Sequence, residues 1–164
     1  MTRPFVSFAV LFAVAWLASS AAADPATRDD VKWRSLDAAA IARELVGSTV
    51  EGRYASGGSF TEELRADLTT LYRDDAVDTP GTFTLEGEAI CFAYPVPLET
   101  GCFLVWQRSQ NCYDLYFAAG QGRVAASLAQ RTLGVGWDAR FWRTEDETTC
   151  PTIGLATLLP QRRG

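Results

Sequence analysis

Four cysteines, Cys91, Cys102, Cys112 and Cys150, constrain this chain more than any other feature. An even set behind an export-type leader reads as disulfides, with three pairings open. No C-x-x-C pair is present, which argues against zinc and for no metal site. Strand register chooses among the pairings. With Pro95-Val96-Pro97-Leu98 as a hairpin loop, Tyr94 faces Glu99. Three steps back along one arm and three forward along the other place Cys91 opposite Cys102 on one face. Cys112 is then left for Cys150, tying the C-terminal segment to the sheet. The chain-entropy model gives these closures roughly 3 and 4 kcal/mol. They are expected to be staples, not redox centres.

The leader supports this reading. Arg3 precedes an apolar run from Phe5 to Ala18, and Ser19-Ser20-Ala21-Ala22-Ala23 follows before Asp24. Basic start, apolar centre and small residues are the order of a secretory signal. The run is about 14 residues, short of the roughly 20 needed to span a bilayer. Residues 1–23 are therefore expected to be a signal peptide, with retention as an anchor the alternative. Residues 24–34 read as a flexible lead-in and 35–160 as a single disulfide-tied β-domain with an N-terminal helix. The expected location is periplasmic or secreted, with no stable membrane anchor after signal cleavage.

Charge and composition narrow the function. The chain has no histidine, which excludes Ser-His-Asp, Cys-His and His-metal sites. Its net charge is −5 and Lys32 is its single lysine, so clustered positive charge for a nucleic-acid grip is missing. Nothing in the sequence calls for a cofactor.

Ser35 offers an N-cap and Gly47 a stop for a helix over Leu36–Val46, with Ala38, Ile41, Ala42 and Leu45 on its buried stripe. From Thr49 onward short strands and turns alternate. Thr49–Tyr54 and Ser59–Leu64 flank a glycine turn, and a bulged loop is expected there because it puts Val50, Tyr54, Phe60 and Leu64 on one face. Leu68–Arg73, Thr82–Tyr94, Gly101–Gln107, Cys112–Phe117, Val124–Gln130 and Trp137–Arg143 follow as strands. The fold class is mainly β: an antiparallel meander forming a small barrel or curved sheet, preceded by one short amphipathic helix.

The cysteine hairpin is apolar on both faces. Phe83, Leu85, Ala89, Leu104 and Trp106 are assigned to the disulfide face, and Ile90, Phe92 and Tyr94 against Phe103 and Val105 to the other. A sheet with one wet face does not look like this. The N-terminal helix or a loop is expected to cover the second face, with a ligand or partner surface over Ile90, Phe92 and Phe103 as the alternative.

A family pattern also runs through this region: Gly47-x-Thr49-x-x-Gly52, then Gly58-x-Phe60-Thr61-Glu62, then Gly81-x-Phe83-x-Leu85-x-Gly87, ending at Cys91 and Cys102. It resembles small exported alphaproteobacterial domains of unknown function over Gly47 to Phe117, with Phe83 where tryptophan is commoner. The resemblance implies a calycin-type barrel in an exported protein and supplies no catalytic residues.

Two acidic clusters, Asp74/Asp75/Asp78 and Glu145-Asp146-Glu147, sit in polar turns and read as solvated. A glycosidase would need facing carboxylates with one desolvated, and the first cluster lacks the ligand alternation of a calcium loop. Gly57-Gly58-Ser59 reads as a hairpin turn. Trp137, Arg140, Phe141 and Trp142 interleave aromatic and cationic groups. They are a strand in the simplest reading and a recognition surface in the sharper one. Together these observations favour a non-catalytic domain binding an envelope protein, a glycan or a small apolar ligand. An inhibitor of an exported hydrolase and a carboxylate-based hydrolase are the alternatives.

Overall fold

Short strands with period-two burial and tight turns can hide a continuous apolar face by curling until the first strand meets the last. This chain does so. The computed structural model describes residues 33–95, 101–118 and 123–151. Its elements are β1 (Arg34–Leu36), α1 (Ala38–Leu45), β2 (Ser48–Tyr54), β3 (Ser59–Leu64), β4 (Thr69–Arg73) and β5 (Asp78–Glu86). They continue with β6 (Ala89–Ala93), β7 (Gly101–Ser109), β8 (Cys112–Phe117), α2 (Leu128–Leu133) and β9 (Ala139–Arg143). Strands β2 to β9 pair antiparallel in sequence order, and β9 pairs back onto β2, giving a closed eight-strand up-and-down barrel. β1 pairs with Val105–Gln107 of β7, beyond the stretch of that strand that β6 occupies.

Inward positions alternate along each strand. Val50, Leu64, Phe83, Val105, Tyr113 and Phe141 are all buried in one core. Helix α1 stoppers one end of the barrel with Ile41 and Leu45, joined by Leu36 of β1. The Ala38 N–H donates to the Gly87 carbonyl at 2.8 Å and pins the helix to the β5–β6 turn.

The disulfides are Cys91–Cys102 and Cys112–Cys150, with Cys91 directly across from Cys102 in the ladder, as the register argument predicts. Both bonds fit a non-reducing compartment. No helix among the described residues is long and apolar enough to cross a membrane. In the first hairpin the Tyr54 N–H donates to the Gly58 carbonyl and the Gly57 N–H to the Tyr54 carbonyl, leaving a three-residue loop. Gly57 has φ +103°, as a glycine bulge requires, and Val50, Phe60 and Leu64 share the inner face as expected.

Several expectations are corrected. The helix starts at Ala38, capped by Asp37, whose side chain accepts from the Ala40 N–H at 2.8 Å. Leu36 and the expected cap Ser35 belong to β1, because their backbone extends the β7 ladder instead. Ala40, not Ala42, completes the buried stripe with Ile41 and Leu45. Arg34, assigned to the lead-in, is the first residue of β1. Thr82–Tyr94 is not one strand. It folds back at Gly87-Glu88, where Gly87 takes φ +61°, a conformation costly for residues with a Cβ. That reversal pairs Phe83 with Phe92 and Leu85 with Ile90, so Phe83 and Leu85 leave the disulfide face and point inward. Val124–Gln130 forms no strand. Ser127 and Gln130 make a capping box and Gly134 ends helix α2 in the left-handed conformation. The leader, residues 96–98 of the cysteine hairpin loop, the Ala119–Gly122 turn and residues 152–160 lie outside the described residues.

Candidate functional site

Among the described residues, nothing fills the end of the barrel opposite α1. A cavity of about 580 Å³ lies there, walled by the inward side chains where β2, β4 and β6 finish and β3 and β9 begin. A volume of that size falls in the range of pockets that enclose a small organic molecule.

The wall follows from strand alternation. Phe60, Glu62 and Leu64 are alternate residues of β3, so all three face inward. Tyr54, Tyr72 and Tyr94 close the ends of their strands around the same space. Their rings form a chain: Tyr54 to Phe60 at 4.8 Å, Phe60 to Tyr72 at 6.1 Å, Tyr72 to Tyr94 at 5.9 Å and Tyr94 to Phe92 at 6.0 Å between centroids. Phe103 continues the chain from Phe92 at 6.3 Å.

One carboxyl group interrupts this aromatic wall. Glu62 is 6% exposed and lines the cavity. Its Oε1 accepts from Thr70 Oγ1 at 2.7 Å and from the Tyr94 hydroxyl. Burial raises the Glu62 pKa above the ordinary carboxyl value, against the opposing pull of those two hydrogen bonds. The Tyr94 and Tyr72 phenols are pushed up as well, chiefly by burial, and Tyr94 further by the neighbouring Glu62 charge. Tyr54 Oη donates to Tyr72 Oη at 3.1 Å, and Tyr72 Oη donates to Asp74 at 3.0 Å, so the hydroxyls form a rim network. Arg123, the cation at the cavity's edge among the described residues, forms an ion pair with Asp138.

The sequence-predicted surface is split by the barrel wall. Phe92 and Phe103 line the cavity, while Ile90 and Phe141 lie deep in the core. Most of the cover over the apolar face of the cysteine hairpin is therefore the barrel itself, with α1 at its end. Trp137, Arg140 and Trp142 come together on the outside, around a groove of about 290 Å³ that includes Arg53 and Pro151. Trp137 also reaches the cavity mouth, with the Arg140 guanidinium 4.9 Å from its ring centroid.

No family model, curated protein or solved structure matches this chain. The chemistry of the site rests on its own side chains.

Glu62 and Asp114 are the buried carboxylates among the described residues, and they lie on opposite faces of the wall. Asp114 points outward between inward Tyr113 and Leu115, and bonds Arg108 Nε and Arg140 Nε, each at 2.6 Å. The acidic turns serve the backbone. Asp74 accepts from the Ala76 and Val77 N–H groups at 2.8 and 2.9 Å, and Glu145 accepts from the Thr49 N–H at 3.0 Å.

Neither Glu62 nor the Tyr54/Tyr72/Tyr94 triad appears among the sequence-derived site residues. A signal for Glu62 was present: it stands between Phe60 and Leu64, both assigned to the inner face. Period two makes a carboxylate there inward-facing as well.

Proposed function

We propose that this protein is a non-catalytic binding barrel that holds a small, largely apolar molecule in the cavity at its open end. It acts in the periplasm or outside the cell after loss of residues 1–23, in keeping with the exported domains it resembles. The observation that carries this reading is the 580 Å³ aromatic-walled cavity in a barrel whose other end is stoppered by α1. Closed barrels of this strand number have interiors wide enough for one small ligand. Separation of Glu62 and Asp114 by the barrel wall supports binding over hydrolysis, because a carboxylate pair must share a cleft to cleave a glycosidic bond. A second reading, recognition of a glycan or an envelope protein, draws on the outer groove of Trp137, Arg140 and Trp142.

The test is titration of the mature protein with the neutral probe N-phenyl-1-naphthylamine. Saturable one-to-one uptake is expected, with energy transfer from tryptophan that falls in Trp137→Phe. Absence of saturable uptake overturns the cavity reading, and binding of oligosaccharides that Trp142→Ala abolishes would favour the groove.

A further inference from the structure

The cavity sets one buried acid, Glu62, among aromatic side chains, while its other acid, Asp138, is paired with Arg123, and that combination specifies a charge. Glu62 projects from β3 among Tyr54, Phe60, Tyr72 and Tyr94, and both of its hydrogen bonds among the described residues fall on Oε1. Aromatic faces attract cations through their quadrupoles, most effectively where water is excluded. A buried carboxylate needs a partner of opposite charge. The cationic side chain that lines the cavity among the described residues is Arg123, and no cation contacts Glu62. Arg123 is at the rim and engaged by Asp138, whose other oxygen accepts from the Phe117 N–H at 2.7 Å.

We propose that the occupant of the cavity is an organic ammonium ion, an apolar body bearing a primary amine, whose charged head is received by Glu62 inside the ring of Tyr54, Phe60, Tyr72 and Tyr94. This rests on the cavity reading above and specifies its ligand class. The chain's net charge of −5 favours approach of a cation over an anion.

The proposal has a protonic consequence. The groups facing Glu62 are the Tyr54, Tyr72 and Tyr94 phenols, with Asp74 behind Tyr72 and the Arg123–Asp138 pair at the mouth. None of these supplies a positive charge in contact with Glu62. The empty cavity therefore favours the neutral acid, in line with the upward shift that burial imposes. An ammonium ion entering with its charge favours the carboxylate, so the Glu62 proton passes to the buffer as the ligand seats.

The experiment is calorimetric titration of the mature protein with octylammonium, octanol and octanoate, in two buffers of different ionisation enthalpy. Octylammonium is expected to bind on the order of tenfold tighter than octanol. It should release protons to the buffer, whereas octanol should not. Glu62→Gln, nearly isosteric, is expected to lose that margin and the proton release while still binding octanol, which also reports that the variant is folded. Octanol or octanoate binding as tightly as octylammonium, or octylammonium binding without proton release, would overturn the ammonium assignment and leave the cavity reading standing. Failure of all three to bind would overturn both.

Discussion

Asp114 accepts a hydrogen bond from Arg108 Nε at 2.6 Å, on the outer face of the barrel, with both side chains almost wholly buried. Arg140 joins the same carboxylate through two nitrogens, at 2.6 and 3.1 Å. Arg108 also bonds the Arg131 carbonyl at 2.6 Å and lies 4.8 Å from the Trp33 ring centroid and 5.5 Å from that of Trp106. This ion cluster is why Trp106 is buried although it points away from the barrel interior, and it holds α2 and Trp33 against β7 and β8.

Asp114→Ala should therefore leave two guanidinium groups without their counter-charge, one of them buried. Breaking a buried pair in this way costs about 3–5 kcal/mol. Urea denaturation should show a loss of that order. Arg140→Ala should cost less, because Arg140 is partly exposed and Arg108 still holds Asp114. Equal stability of Asp114→Ala and wild type would show that the cluster contributes nothing.

Glu62 makes stability depend on pH in an unusual direction. Its folded-state pKa lies above the ordinary value of 4.5, so the folded form holds the proton more tightly than the unfolded chain. The contribution is fully present below 4.5 and is lost as pH rises through the raised folded value. On moving up through this window the wild type should lose melting temperature relative to Glu62→Gln, so that a variant matching it in acid overtakes it and a variant that starts lower converges on it. A constant difference between them from acid to neutral pH would contradict the burial argument. Glu63, Asp67 and Asp74 have lowered pKa values from hydrogen bonding and act the other way at lower pH, but they are common to both proteins and cancel in the difference.

Gly81 sits against Tyr94. A Cβ at this position would approach Tyr94 Cδ1 to 2.5 Å and the Ala93 carbonyl oxygen to 2.7 Å, and the backbone oxygen cannot swing aside. Gly81→Ala should cost about 1–3 kcal/mol by overpacking, and displace the Tyr94 hydroxyl from Glu62. The midpoint of chemical denaturation and probe uptake should both fall. Unchanged uptake would mean that Tyr94 does not shape the cavity.

The two disulfides should be separable. In the chain-entropy model, removing Cys112–Cys150 costs roughly 4 kcal/mol and removing Cys91–Cys102 roughly 3 kcal/mol. Double serine variants compared by thermal melting test the order. Cys112–Cys150 also secures the chain after β9, where Thr149 meets Asn111 and Ser109, so its loss should raise hydrogen exchange there selectively. Uniform exchange changes in the two variants would count against that role.

Much of the barrel was legible because β-structure writes its faces in period two. Register gave the Cys91–Cys102 pairing and elimination gave Cys112–Cys150, and the glycine turn of the first hairpin set Val50, Phe60 and Leu64 on one side. The Gly87 reversal and the Ser127–Gly134 helix were written in the sequence too, but a strand-like apolar composition masked both. Tertiary closure was not local information. It turned the second apolar face of the cysteine hairpin into a lumen and sent Phe141 inward while leaving Trp142 outside. It also gathered Tyr54, Tyr72 and Tyr94 from strands far apart in the chain around Glu62. The sequence alone determined the strands, their faces and their sulfur bridges, since these depend on neighbours along one or two ribbons. Only the folded barrel decided where α1 fills the interior and where space remains, because that depends on side-chain volumes summed around the whole ring.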